Sequence, residues 1–287
     1  MKYLTKEWYE LCQKTGLHFG IKVNEGAAVY DEALYLRLYK RKENEYVKMQ
    51  HGVYDVDPRF MLGLEGSTFI RLDRYANNEE IGEDDKLVYH MPTDERERIQ
   101  KMIEEYDVRP PFDEKKCREE FRSTQEALII GERERLPQEI SLQIADMRVF
   151  SLGYCTKDVL KQLKRISKAN MKKVNRILSE HSKAQQAENV PQNIIEKFCF
   201  HDCQVIEFRI GSDIAMQFDL RGGFTKLNKI TFIESEILKI EGQIEGSYWI
   251  YNELYCSEKG YEAHILFRGD EISELIISCK DIMIEKE

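Results

Sequence analysis

Apolar positions recur with a period near 3.6 residues through the first two thirds of the chain and with a period of two thereafter, so helices are encoded first and strands second. The first helix is expected after Thr5, a side chain suited to capping, and a second through YDEALYLRLYKRKENEYVKM. TDERERIQKMIEEY gives a third. Pro110 and Pro111 resist helix, and FDEKKCREEFRSTQEALIIGERERLP restores the helical pattern after them. ISLQIADMRVFSLGY then leads to a further cap at Thr156. Within this region STFIRLDRY alternates as a strand does, and the acidic NNEEIGEDDK after it reads as a turn or loop.

Beyond Phe200 the runs IEFRI, IAMQFDL, TKLNKITFIE, ILKIEGQI, SYWIYNELY, AHILFR, ELIISC and DIMIE follow one another between Gly, Asp, Ser and Lys punctuation. Their spacing leaves no room for crossover helices, so pairing is expected to be antiparallel, in a sandwich or partly open barrel. The polar AQQAENVPQN at 184–193 is the expected boundary. The fold class predicted is therefore α+β, with a mainly helical region over 1–190 and an antiparallel β domain over 194–287.

A chain of 287 residues suits two domains or one large one, and 42% apolar with 33% charged residues excludes wholesale disorder. No segment approaches the roughly 18 consecutive apolar residues of a membrane-spanning helix, and the charged N-terminus does not read as a signal peptide. Seven scattered cysteines without a C-x-x-C read as reduced thiols, and a cytoplasmic location is expected. The net charge of −9 is unevenly placed: residues 196–287 hold 10 Lys and Arg against 18 Asp and Glu, a net −8. Lys157 to Lys183 reverses the sign, with nine basic residues against Asp158 and Glu180.

Within that basic helix Lys161, Arg165, Lys168, Lys172 and Arg176 fall on one face, while Val159, Leu163, Ile166, Val174 and Ile177 lie opposite. A cationic line of this kind is what contacts nucleic-acid phosphates through counterion release. Against nucleic acid stand the absence of interleaved aromatics and the net charge of −9, so a solvated face attracted to the acidic β domain is the preferred reading. The apolar side lacks Trp and Phe, which argues against a membrane surface.

In the β domain, SYWIYNELYC and YEAHILFR flank the loop Ser257–Gly260, and a hairpin pairing Cys256 with Tyr261 sets Glu253 opposite His264. Strict alternation then gathers Trp249, Tyr251, Glu253, Tyr255 and His264 on one face. Three readings are open to it: cross-strand Glu–His and aromatic pairs that stabilise a partly exposed sheet, a reading that outweighs catalysis; Glu253 and His264 as an acid/base pair of a hydrolase in an interdomain cleft; or the aromatic side chains as anchors of a protein interface. The interface is preferred, because no nucleophile or metal cage completes the pair.

Cys199, His201, Asp202 and Cys203 suggest a metal site, but no second ligand pair has zinc spacing, and no metal or other cofactor is expected. Asp55 and Asp57 form a D-x-D, yet Pro58 makes Asp57 a helix cap. Glu79, Glu80, Glu83, Asp84 and Asp85 lack the spacing of a calcium loop, and Gly222–Gly223 reads as a turn. No P-loop, G-x-S-x-G or H-E-x-x-H occurs.

The opening KYLTKEWYEL, FHDCQV, the Gly-Gly-Phe-Thr turn with the following ITF, WIYNELY and HILF resemble an uncharacterised bacterial, chiefly bacillar, family, domain of unknown function 4085. The resemblance brings no activity or site residues. It implies a bacterial protein of two parts, and the acidic β half is similar in style to immunity and antitoxin proteins. The expected function is non-enzymatic binding of a protein partner through the acidic β domain, with hydrolase and nucleic-acid binding as the alternatives.

Overall fold

The computed structural model of the protein describes residues 1–70, 82 and 86–286. Most of the acidic loop, including Glu79, Glu80, Glu83, Asp84 and Asp85, lies outside the described residues, as does the predicted strand beyond Ile70. The described helices are α1 (Lys6–Gln13), α2 (Glu32–Tyr54), α3 (Thr93–Asp107), α4 (Glu114–Arg135), α5 (Gln138–Ser141), α6 (Met147–Ser151), α7 (Lys157–Ala187) and α8 (Gln192–Lys197). The described strands are β1 (Lys22–Val23), β2 (Thr68–Ile70), β3 (Lys86–Val88), β4 (Tyr154–Cys155), β5 (Gln204–Ile210), β6 (Ile214–Asp219), β7 (Lys229–Ile233), β8 (Glu236–Glu241), β9 (Tyr248–Ser257), β10 (Gly260–Arg268), β11 (Ile272–Cys279) and β12 (Asp281–Glu285).

Helix starts follow local chemistry. Thr5 Oγ1 accepts from Trp8 N at 3.2 Å, and Thr156 Oγ1 accepts from Val159 N at 3.3 Å, each meeting an amide that the first turn leaves without a partner. Asp57 Oδ1 likewise caps a short 3-10 helix, Pro58–Leu64, through Arg59 N at 2.9 Å.

Two compact units divide the chain. One comprises residues 26–134 and 145–154. There α2 turns Leu34 and Leu38 into a core with Phe121 of α4 and Val149 of α6, and Tyr39 and Tyr46 set their rings 5.3 and 5.4 Å from Phe121. A second small cluster joins Met91 to Ile99 and Ile103 of α3.

The other unit comprises residues 1–25, 135–144 and 155–287. Its eight-stranded antiparallel sheet runs β12-β7-β6-β5-β9-β10-β11-β8 and is not closed. Between β5 and β9 the pairing is short: Gln204 faces Tyr248, and the backbone bonds around that pair run from 202–205 to 246–249. The sheet is therefore hinged into two halves of four strands, which share one core of Val205, Met216, Phe218, Phe232, Trp249, Ile265, Phe267 and Ile277. The opposite face of β9 and β10 is covered by Leu4, Trp8 and Tyr9 from the N-terminal segment and by Val174 and Ile177 of α7.

That hinge frees one edge of β9, whose backbone groups need other partners. Gln185 donates through Nε2 to Leu254 O at 3.1 Å, and Glu188 Oε2 accepts from Cys256 N at 2.9 Å. The end of α7 thus stands in for a neighbouring strand. Its helix runs on to Ala187, into the polar segment that reads in the sequence as a break, because Gln185 is held by the sheet.

Trp249 has no exposed surface and is ringed by Phe198, Phe200, Phe218 and Phe267 at centroid distances of 5.4 to 5.8 Å. Trp249→Ala should therefore cost about 3–5 kcal/mol of folding stability, read from the midpoint shift in chemical denaturation. A shift no larger than that of an exposed substitution would contradict this packing.

Candidate functional site

The β9–β10 hairpin has the register that its loop dictates, with Tyr261 opposite Cys256 and His264 opposite Glu253. Between Leu266 and Phe267 the register slips: Leu266 faces Tyr251 and Phe267 faces Trp249, leaving Ile250 as an extra residue on β9. This bulge inverts the alternation. Trp249 joins the core between the sheet halves, where its Nε1 donates to Asn252 Oδ1 at 3.0 Å, whereas Ile250, Tyr251 and Leu266 pack under α1. The predicted common face of Trp249 with Tyr251, Glu253, Tyr255 and His264 is thus corrected, since a single inserted residue moves every side chain before it to the other side.

The rest of that face is interior. Glu253, Tyr255 and His264 are 0%, 3% and 4% exposed, and Tyr251 is half-buried with its ring 4.9 Å from Trp8. Glu253 accepts from Lys2 N at 2.7 Å, from Tyr3 N at 2.8 Å, from Leu4 N at 2.6 Å and from the Tyr255 hydroxyl at 2.9 Å. Burial opposes its ionisation, but three backbone N–H donors and the phenol outweigh burial and hold the carboxyl below its ordinary value of 4.5. Burial and the adjacent carboxylate push the Tyr255 phenol up, and Lys2 Nζ stands 3.5 Å from the Tyr255 ring centre. A neighbouring carboxylate, Glu274, takes Lys239 at 2.7 Å and the amino group of Met1.

His264 faces Glu253 without bonding to it: Nδ1 lies 3.9 Å from Glu253 Oε2 and has no hydrogen-bond partner, while Nε2 lies 2.6 Å from Glu262 Oε1. Burial lowers the imidazole from its ordinary value of 6.5, against the opposing pull of Glu262. The carboxylate bonded to this histidine is therefore Glu262, two residues along its own strand.

The remaining candidates are dispersed. His201 Nδ1 pairs with Asp202 at 3.0 Å, Cys199 is exposed, and Cys203 is buried, with burial pushing its thiol up to about 11. Among the described residues no group of three or more His, Cys, Asp or Glu is placed to hold a metal. Lys161, Arg165, Lys168, Lys172 and Arg176 are all exposed along α7, and among the described residues the one carboxylate they meet is Glu180, 3.8 Å from Arg176.

At the bulged end of β9 lies a cavity of about 1030 Å³ lined by Asp202, Tyr248, Arg268, Asp270 and Glu271 and by glycine turns. Asp202 is in the left-handed region, φ 64°, an uncommon conformation for a non-glycine residue. Gly222 packs so closely that a Cβ there would meet Asp202 O at 2.6 Å, so only glycine leaves that turn in place. Three carboxylates, one guanidinium and a half-exposed phenol form a hydrogen-bonding, net-acidic recess.

Sheet, cap and cavity define an α+β protein with an N-terminal strap bound to a buried carboxylate. The chain belongs to the family described as Protein of unknown function (DUF4085), whose model matches residues 114–278. No curated protein and no solved structure matches it. Among the described residues no helix is long and apolar enough to cross a membrane. The matched span includes Glu253 and His264 but not Lys2, Tyr3 and Leu4, whose amides bind the carboxylate. Backbone donors carry no side-chain signal, so nothing in the sequence marks them.

Because the folded carboxyl of Glu253 titrates below its unfolded value of 4.5, its contribution is fully present above that pH and is lost as pH falls through the folded value. Glu253→Gln should cost about 1–3 kcal/mol at neutral pH and flatten the acid limb of stability against pH, measured by denaturation across the acid range. An acid limb as steep as that of the parent protein would refute the role. For His264 the expected NMR titration midpoint is below 6.5, so the neutral ring is favoured and its stabilisation is lost on acidification. A midpoint above 6.5 would contradict its burial.

Proposed function

We propose that this is a non-enzymatic binding protein whose acidic β domain takes a basic loop or tail of a protein partner into the cavity beside the β9 bulge. The observation that carries this reading is the composition of the recess, Asp202, Asp270 and Glu271 against Arg268, on a domain of net charge −8. Asp270, Glu271 and Arg268 are exposed, and no described ion pair occupies them. The exposed part of Tyr248 offers an aromatic surface to an arginine or lysine side chain. This moves the interface away from Trp249, which lies in the core between the sheet halves, and from Tyr251, Glu253, Tyr255 and His264, which a partner would reach only by displacing α1 and the residues before it.

An acid/base role for Glu253 and His264 is the weaker reading. Four donors occupy the Glu253 oxygens, and neither residue lines the 1030 Å³ cavity. Cytoplasmic location accompanies the proposal, since all seven cysteines are unpaired, two of them exposed, as suits a reducing compartment. A basic partner held by a small acidic domain is also how an immunity-like protein would act.

A random-peptide display selection on the full chain tests the proposal. Arginine- and lysine-bearing peptides should be enriched, and the charge-reversed variant Asp270→Lys with Glu271→Lys should lose them while keeping the parent circular dichroism and melting temperature. Enrichment of acidic peptides, or equal retention by the variant, would sink it.

A further inference from the structure

A second recess lies away from the acidic one, where the loop after α1 meets the cationic face of α7. It encloses about 660 Å³ and is lined from α7 by Lys164, Ser167, Lys168, Met171, Lys172 and Asn175. These positions are spaced 3, 1, 3, 1 and 3, which keeps all six on one helical face. Thr15, His18 and Phe19 supply the facing wall. The loop is tied down by Asn170, whose Nδ2 donates to Lys14 O at 3.1 Å.

Two features set this recess apart from an ordinary solvated lysine face. Ser167 is 1% exposed, lies in the recess wall, and its Oγ has no hydrogen-bond partner, as is also true of His18 Nδ1. Buried polar atoms without partners are uncommon and cost free energy unless a ligand or water meets them. Phe19 meanwhile presents an apolar ring that is 69% exposed, beside the His18 ring at a centroid distance of 4.6 Å. Gly16 leaves room for that ring: a Cβ there would come within 2.9 Å of Phe19 Cδ2.

The anchor for charge is equally specific. Lys164, Lys168 and Lys172 succeed one another about 6 Å apart along the helix. No carboxylate among the described residues lies within salt-bridge distance of any of them, and all three are exposed. A ligand satisfying this recess carries an anionic group with several acceptor oxygens, a flat apolar body and a polar ring edge. We propose that the recess binds a nucleotide, its phosphate against Lys164, Lys168 and Lys172, its base between Phe19 and Met171, and the base edge toward Ser167 Oγ and His18 Nδ1. The same chemistry is offered by a free nucleotide and by the 5′-phosphorylated end of a strand.

Isothermal titration calorimetry of the full chain with AMP, adenosine, inorganic phosphate and a 5′-phosphorylated oligonucleotide tests this. AMP should bind more tightly than adenosine or phosphate, with affinity falling as salt rises. Lys168→Gln with Lys172→Gln should weaken AMP by roughly tenfold or more, about 1.4 kcal/mol per tenfold. Both lysines are exposed, so the variant should keep the parent circular dichroism. Gly16→Ala, which displaces the Phe19 ring, should weaken AMP and leave phosphate unchanged. An oligonucleotide no tighter than AMP assigns the recess to free nucleotides, and one that tightens with length assigns it to strand ends; either sustains the proposal. No binding of AMP or oligonucleotide, AMP no tighter than inorganic phosphate, or equal affinity in the lysine variant would overturn it.

Discussion

A carboxylate enclosed in a sheet must find donors or give up its charge, and the N-terminal residues are arranged around that requirement at Glu253. Three consecutive amides, Lys2 to Leu4, converge on its two oxygens, and the Tyr255 hydroxyl adds a fourth donor. Fixing residues 2–4 sets where the Thr5 cap falls, and with it α1. That places Trp8 and Tyr9 over Tyr251, Ile250 and Leu266. The polar contact fixes position, and the apolar contacts behind it supply most of the burial free energy. Neither is sufficient alone, because apolar packing without the amides would leave a buried anion unmet.

The β9 bulge is the second constraint on the same strand. By inserting Ile250 it lets one strand serve two cores, with Trp249 between the sheet halves and Tyr251 under α1. A strand without the bulge would send Trp249 to the side of Glu253, where α1 already lies, and leave a large void among Phe198, Phe200 and Phe218. The bulge also lies at the acidic recess, whose lining includes Tyr248 and Ile250. Irregular pairing of this kind often re-aims side chains toward a binding surface.

Charge is distributed by the same logic. The basic residues of α7 occupy the side away from Val174 and Ile177, which pack toward β9 and β10, so the cations point to solvent rather than into the acidic domain. A net-acidic recess and a cationic recess therefore occur in the same compact unit, each equipped with an exposed aromatic, Tyr248 in one and Phe19 in the other. Such segregation favours ligands of opposite sign at the two places and disfavours neutralisation between them.

Local rules made much of this legible in the chain itself. Thr5, Asp57 and Thr156 cap where their side chains allow, the two-residue period fixes the antiparallel strands, and the Ser257–Gly260 loop fixes Glu253 opposite His264, because each depends on neighbours a few positions away. The face to which Trp249 belongs was not legible, since a bulge has no signature in a run of β-forming residues. Nor was the burial of the Glu253 face: alternation tells which side chains share a side, not which element covers them. The donors to Glu253 are backbone amides 249 to 251 positions away, and the unpartnered Ser167 hydroxyl faces a loop from the far N-terminal end. The sequence by itself determined the elements and their local pairing, and tertiary structure alone decided what is interior and what is surface, because burial is set by contacts between segments that the chain keeps far apart.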